Sequence, residues 1–255
     1  MHNNENSKYV NELIVAYQID VAIFCEFKRL SVQKICNTLK DFVFEQGNGG
    51  NDKIILLHRK DIHVSVFREQ SRYSLYDIDT QNGKYNIAGV HLPANPHGNH
   101  NDRFASLIAL KDDLKELENS TNYKDTIVIG DFNTNPFSEE MIDKRSLNAV
   151  LFKKVIEQKE TVKYDHKLYR RLYNPILLSL SEELHNYGSY YYNSGADCLY
   201  WNLFDQFVIN KHLLNRVKRF YYCKGIMNNS FVSKNGIPKE IISDHLPLIV
   251  EVKDE

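Results

Sequence analysis

TIVIGDFN, residues 126–133, decides how the rest of the chain is read. Thr126 to Ile129 form a short, mostly β-branched run, which suits a strand buried on both faces. Gly130, Asp131, Phe132 and Asn133 follow at once, so two polar side chains stand at the end of a rigid element. Taken alone, GDFN also suits a plain βα turn, because Gly, Asp and Asn are turn formers.

Outward from this run the pattern repeats. Upstream, Asp102 opens a helix with Phe104, Leu107, Ile108, Leu110, Leu114 and Leu117 on its apolar side, after a polar loop at 93–101. Before that loop, KYNIAGVHL (84–92) reads as a strand ending at His91, and Asn82-Gly83 is a hairpin signal joining it to RYSLYDID (72–79). KIILLHR (53–59) and IHVSVFRE (62–69) are further strands. Ser31 is expected to N-cap a helix carrying Val32, Ile35, Cys36 and Leu39. DVAIFCE (20–26) reads as another strand buried on both faces, ending at Glu26, and Val10, Leu13, Ile14 and Tyr17 mark a helix over residues 6–17. Downstream, residues 137–187 mix helical pieces with basic residues such as Arg170 and Arg171. An aromatic-rich stretch over 187–210 runs into a strand ending near Ile209, and ISDHLPLIVEV (242–252) is a loop followed by a strand.

Strands outnumber helices along the whole length, and no linker or repeat interrupts them. One α/β domain over residues 1–255, built on two packed sheets, fits this order. The chain has 255 residues, 42% of them apolar, and 32 Lys or Arg against 33 Asp or Glu for a net charge of −1. That balance excludes disorder and speaks against binding of long nucleic acid through a basic surface. Cys25, Cys36, Cys198 and Cys223 show no metal-type pairing, and no run suits a signal peptide or a membrane span. Reduced thiols and a cytoplasmic location are the expectation.

The acids at strand ends carry the chemistry. Glu26, Asp131 with Asn133, Asp205, and Asp244 with His245 each sit where an apolar strand ends or begins, as does His91. Singly, Glu26 reads as a surface acid, His91 as a structural histidine and Ser243-Asp244-His245 as a loop start. Gathered at one sheet edge, such acids repel one another unless a cation is present. Oxygen ligands suit Mg²⁺ or Mn²⁺ rather than zinc, and a hard ion beside histidines is equipment for phosphoester cleavage.

The ordered set DVAIFCE, GVHL, IVIGDFN, FDQFVIN and SDHLPLIVEV resembles the endonuclease/exonuclease/phosphatase superfamily over residues 20–250. The resemblance implies a four-layer α/β sandwich, with two packed, mostly antiparallel sheets flanked by helices. It implies that Glu26 and Asp244 bind or adjoin the metal and that Asp131 positions or deprotonates the attacking water. It further implies that Asn133 orients the phosphate, that His245 and His91 bond to it, and that Asp205 holds His245 in the right tautomer. The function expected is divalent-metal-dependent hydrolysis of a phosphodiester, with nucleic acid as substrate. Phosphomonoesters, lipid phosphodiesters and a non-catalytic binding role are the alternatives.

Three departures qualify the likeness. The family's first strand, ending in Trp-Asn and contributing a metal-binding Asn, has no counterpart, so a strand upstream of Met1 is the expectation; Asn3 or Asn4 is the alternative ligand. His91 stands where AP endonucleases carry Tyr, and Gln206 follows Asp205 where inositol phosphatases carry Arg, which disfavours both branches. Tyr190, Tyr191, Tyr192, Asn193, Trp201 and Asn202 precede Asp205 and are expected at the site mouth, where aromatic faces stack on bases.

Overall fold

Side-chain alternation with period two sorts the chain into layers. In the computed structural model, which describes residues 6–45, 53–81, 83–94, 99–193, 199–227 and 229–253, the first half runs α1 (Asn6–Tyr17), β1 (Val21–Cys25), α2 (Arg29–Thr38), β2 (Phe42–Glu45), β3 (Ile54–Arg59), β4 (His63–Glu69), β5 (Tyr73–Thr80), β6 (Gly83–His91) and α3 (His100–Thr121). Then come β7 (Thr126–Asp131), α4 (Glu139–Ile142), β8 (Ala149–Val150), α5 (Lys153–Gln158), β9 (Thr161–Tyr164), β10 (Lys167–Arg170) and β11 (Leu172–Tyr173). The chain continues through β12 (Tyr190–Tyr191), β13 (Trp201–Asn202), β14 (Asp205–Ile209), β15 (Val217–Tyr222), β16 (Gly225–Ile226), β17 (Asn229–Ser230) and β18 (Leu248–Val252).

The main sheet has seven strands in the order β4-β5-β6-β7-β14-β11-β8. Pairing is antiparallel except for β6 with β7 and β11 with β8. On β5, Tyr73 and Leu75 join a core with Leu107, Leu110, Leu114 and Leu117 of α3, while Tyr76 and Ile78 face the other way to meet Leu56 of β3. On β3 itself, Ile55 and Leu57 turn outward to Val10 and Ile14 of α1 and Val32 and Ile35 of α2. The layers are therefore helices, the β1-β3-β2 sheet, the seven-stranded sheet, and α3. That is an α/β sandwich of four layers.

Two local readings are corrected. Helix α2 starts at Arg29 with Lys28 as its N-cap, and Ser31 lies buried inside it. Helix α3 begins two residues before Asp102. Its N-cap is Asn99, whose side chain accepts from the Asp102 amide while the Asp102 carboxylate accepts from the Asn99 amide, so Asp102 closes a capping box. The expected hairpin joins β5 to β6 through Thr80↔Gly83; Asn82, Cys198, Asn3 and Asn4 lie outside the described residues.

Strand β1 is half-buried along its whole length rather than sealed on both faces. Among the described residues it pairs only with β3, and β18 pairs only with β15. Bonds from the Arg59 amide to the Asp20 carbonyl (3.1 Å) and from the Glu26 amide to the Lys53 carbonyl (2.8 Å) set the alternation on β1. Its even-numbered residues bond β3, so the main-chain groups of Val21, Ile23 and Cys25 point away. On β18 the bond from the Cys223 amide to the Pro247 carbonyl (2.8 Å) likewise turns Leu248 and Val250 outward. Both strand edges line the same cleft.

This geometry predicts hydrogen exchange at least about tenfold faster at the amides of Ile23 and Val250 than at those of Phe24 and Ile249. Exchange NMR reads it residue by residue. Uniform protection along β1 and β18 would mean that another segment fills the cleft.

Candidate active site

Strand register assembles the site. His91 on β6 and Asp131 on β7 are partners in the parallel pair, and Asp205 on β14 is the antiparallel partner of Asp131. Three functional side chains thus stand on adjacent strands at one sheet edge. Gly130 makes this approach feasible, because at its φ of +147° an added Cβ would run into the Val90 carbonyl.

The loop beyond β7 is folded by its own polar groups. The Asn133 amide donates to Asp131 Oδ1 (2.9 Å), and its side-chain Nδ2 donates to Asp131 Oδ2 (3.0 Å) and to the Leu92 carbonyl (2.9 Å). Asn133 takes up a left-handed φ of 48°, a conformation Asn tolerates. Asp131 is therefore clamped, and the clamp also reaches the residue after His91.

His245 arrives from the loop before β18. Its Nδ1 lies 2.7 Å from Asp205 Oδ2, and Tyr190 bridges to it in an isolated β-pair. The Tyr190 ring stands 4.7 Å from the imidazole and 5.2 Å from Phe204, with Tyr192 stacked at 6.3 Å. Glu26 follows β1 at a φ of 57°, and its Oε1 lies 3.7 Å from His91 Nε2 and 3.9 Å from Lys53 Nζ. The Asp131 carboxylate is equally 3.7 Å from His91 Nε2. Asp244 is exposed. Glu26, His91, Asp131, Asp205, Asp244 and His245 all line one cleft of about 330 Å³, the cleft bounded by β1 and β18.

Crowded carboxylates and burial pull the protonation states apart. Burial first, then Asp205 and Glu26, push Asp131 up to about 7 against the opposing pull of His245. Burial alone would lower His245, but the charge and hydrogen bond of Asp205, with Asp131 and Asp244, raise it to about 10. His91 goes the other way: its burial outweighs Glu26 and holds the imidazole neutral. Its Nδ1 is buried and finds no hydrogen-bond partner among the described residues. Among the described residues no three His, Cys, Asp or Glu side chains form a closed metal cage. Glu26 and Asp244 offer oxygen donors beside an acid cluster short of positive charge, which fits a hard ion that takes one or two carboxylates and completes its shell with water and substrate.

A buried hub beneath the loop is absent from the sequence reading. Glu140 Oε1 accepts from Arg103 Nε (2.9 Å) and from Thr134 Oγ1 (2.8 Å), and its Oε2 lies 2.8 Å from His100 Nδ1. Arg103 also donates to the Pro93 carbonyl (3.3 Å). Glu140 thereby ties the loop after Asn133 to the one after His91. Burial would raise its pKa, but these bonds prevail and lower it. On the other side, Gln206 Nε2 donates to the Thr134 carbonyl (2.6 Å), and Gln206 Oε1 accepts from Asn174 Nδ2 (2.7 Å).

Two outcomes test this description. Glu140→Ala leaves Arg103 buried without its counter-charge and should cost about 3–5 kcal/mol in urea unfolding; a loss below about 1 kcal/mol would deny the hub its role. Asp205→Asn should bring the titration of His245, followed by NMR, down from about 10, and an unchanged titration would show that Asp205 does not set it.

Against known proteins, the profile of the Endonuclease/Exonuclease/phosphatase family matches residues 1–245. Solved structures similar to this chain include a mannosyl-6-phosphatase from Bacteroides thetaiotaomicron (12% identity, TM-score 0.64, covering 97% of this chain and 90% of that one). Another is Danio rerio TDP2 complexed with a single-strand DNA product (12% identity, TM-score 0.58, covering 97% and 91%). A third is the human Nocturnin catalytic domain with a bound sulfate anion (17% identity, TM-score 0.58, covering 98% and 87%). No curated protein matches by sequence.

Proposed function

The chain belongs to the endonuclease/exonuclease/phosphatase family, and from that premise we propose that it hydrolyses phosphodiester bonds, with nucleic acid as its substrate. The observation that carries this reading is the strand-end constellation itself. A clamped carboxylate, Asp131, lies beside an imidazolium, His245, which Asp205 orients at 2.7 Å.

With its carboxyl poised at about 7, Asp131 takes the proton of a water as that water attacks phosphorus, the P–O bond to the leaving group breaks in line, and the departing oxygen takes its proton from solvent. Asn133 holds the carboxylate in place for this transfer. His245 stays protonated through the neutral range and donates to a phosphate oxygen, offsetting the charge that grows there in the transition state. His91, kept neutral by burial, stands with Nε2 3.7 Å from both Glu26 and Asp131, where it faces the phosphate side of the cleft as a second imidazole. Glu26 and Asp244 would hold Mg²⁺ or Mn²⁺, which when bound supplies Lewis acidity towards the phosphate. Tyr190, Phe204 and Tyr192 form an aromatic wall against His245. A base stacked on such a wall gains roughly 1–3 kcal/mol, and this favours a nucleotide over a simple phosphate. The single-strand DNA product in the TDP2 structure supports the same choice.

Asp131→Ala should lower the turnover of an oligonucleotide with Mg²⁺ by about 10²–10⁴. A screen of DNA, RNA, inositol phosphates and sphingomyelin reads substrate class alongside it. Near-wild-type turnover in the variant would remove Asp131 from the base role, and hydrolysis confined to small phosphates would reject the nuclease reading.

A further inference from the structure

The near-zero total charge conceals a strong segregation. Residues 144–171 carry nine Lys or Arg against three Asp or Glu, whereas the rest of the chain carries 23 against 30. One short segment is thus at +6 in a protein that is otherwise at −7.

The segment comprises β8, α5 and the β9–β10 hairpin. The hairpin pairs Lys167 with Tyr164 and Arg170 with Thr161, and it turns through Asp165 and His166, both at left-handed φ (46° and 60°). It is held along one face of α3. Lys144 Nζ sits 3.7 Å from the Tyr164 ring centroid, Lys111 Nζ 5.5 Å from that of Tyr169, and the Arg145 guanidinium 4.8 Å from that of Phe104. Arg170 grips Glu118 with two bonds of 2.6 and 2.8 Å. Phe104, Lys111 and Glu118 are seven residues apart, so the anchors lie on one helical stripe. That stripe begins at Phe104, next to Arg103, whose partner Glu140 supports the loop after Asn133.

Several cations have work within the fold: Arg170 with Glu118, Arg145 with Asp143, and Lys153 with Glu157. Lys154, Lys159, Lys163 and Lys167 are exposed and make no ion pair among the described residues. Between the last two, Tyr164 is 55% exposed, and Leu168 beside them is 71% exposed. Unpaired ammonium groups interleaved with an exposed aromatic face suit a flexible polyanion that offers both phosphates and bases. A lipid surface would call for a broader apolar face to insert.

We propose that this basic hairpin surface is a docking site for single-stranded nucleic acid, feeding the strand to the cleft. This rests on the nuclease reading above for its purpose but not for its measurement. Binding of a fluorescein-labelled 20-mer oligothymidylate is followed by anisotropy, in EDTA, as a function of salt. Replacing the four lysines together (K154Q, K159Q, K163Q, K167Q) should reduce the slope of log affinity against log salt by about 2 to 3, near 0.7 per lysine. Tyr164→Ala should weaken binding several-fold with the slope unchanged. Thermal melting of the lysine variant should match wild type, since those four side chains are exposed, and Tyr164→Ala, which also gives up the Lys144 contact, should melt only slightly lower.

An unaltered slope, or binding to phosphatidylserine vesicles in place of the oligonucleotide, would overturn the proposal. Because EDTA separates binding from cleavage, an oligonucleotide that docks through these lysines yet is never hydrolysed with Mg²⁺ rejects only the nuclease reading. Hydrolysis with an unaltered slope rejects only the docking site.

Discussion

The register of β7 between β6 and β14 is the constraint on which the rest depends. It sets His91, Asp131 and Asp205 side by side across three strands. A one-residue slip of β7 would turn Asp131 to the opposite face, away from His91 and Asp205. The slip is forbidden from both sides, since Val128 and Val208 must face α3 while Ile127, Ile129, Phe207 and Ile209 face the other core. Hydrophobic sorting therefore fixes polar geometry. The same pattern that buries the strands aligns the carboxylates at their ends.

Such alignment carries an electrostatic cost, and the site answers it with unequal protonation. Asp131 is driven towards neutrality, His245 is driven to remain charged, and His91 is kept neutral by burial. Three groups with ordinary values spread over less than three units are separated into a base, a fixed cation and a neutral imidazole. The Glu140 hub then makes the separation durable, because the loops that follow Asp131 and His91 cannot drift independently.

How far the sequence foretold this varied with the range of the signals. Strand-end polar groups such as Asp131, Asp205 and Asp244 are legible, because a few apolar residues and one acid in succession carry the message locally. The helix over 6–17 is legible for the same reason, through its 3.6-residue spacing. Ser31 misled because capping residues are also tolerated inside helices, and here the residue is buried within α2. The open edge of β1 was hidden because an apolar run reads alike whether or not both flanks are paired. Glu140 was invisible because Arg103 and His100 meet it from 37 and 40 residues away. Charge segregation was legible in principle, but a total of −1 averages it out.

The cleft between β1 and β18 has one further consequence. Glu26 closes one lip and Asp244 opens the other, and among the described residues no pairing joins the two strands directly. Anything held between those two carboxylates adds a brace across the mouth of the cleft to half-sheets already joined by the seven-stranded sheet behind them and by α1, whose Asn6 donates to the Ile242 carbonyl and whose Glu12 accepts from Asn229. Occupancy and folding are then linked by mass action: a ligand bound only when both lips are in register stabilises the native state by RT ln(1 + [L]/Kd). The active site of this protein is by that argument also a strut, and its vacancy or filling is felt in the rigidity of the whole sandwich.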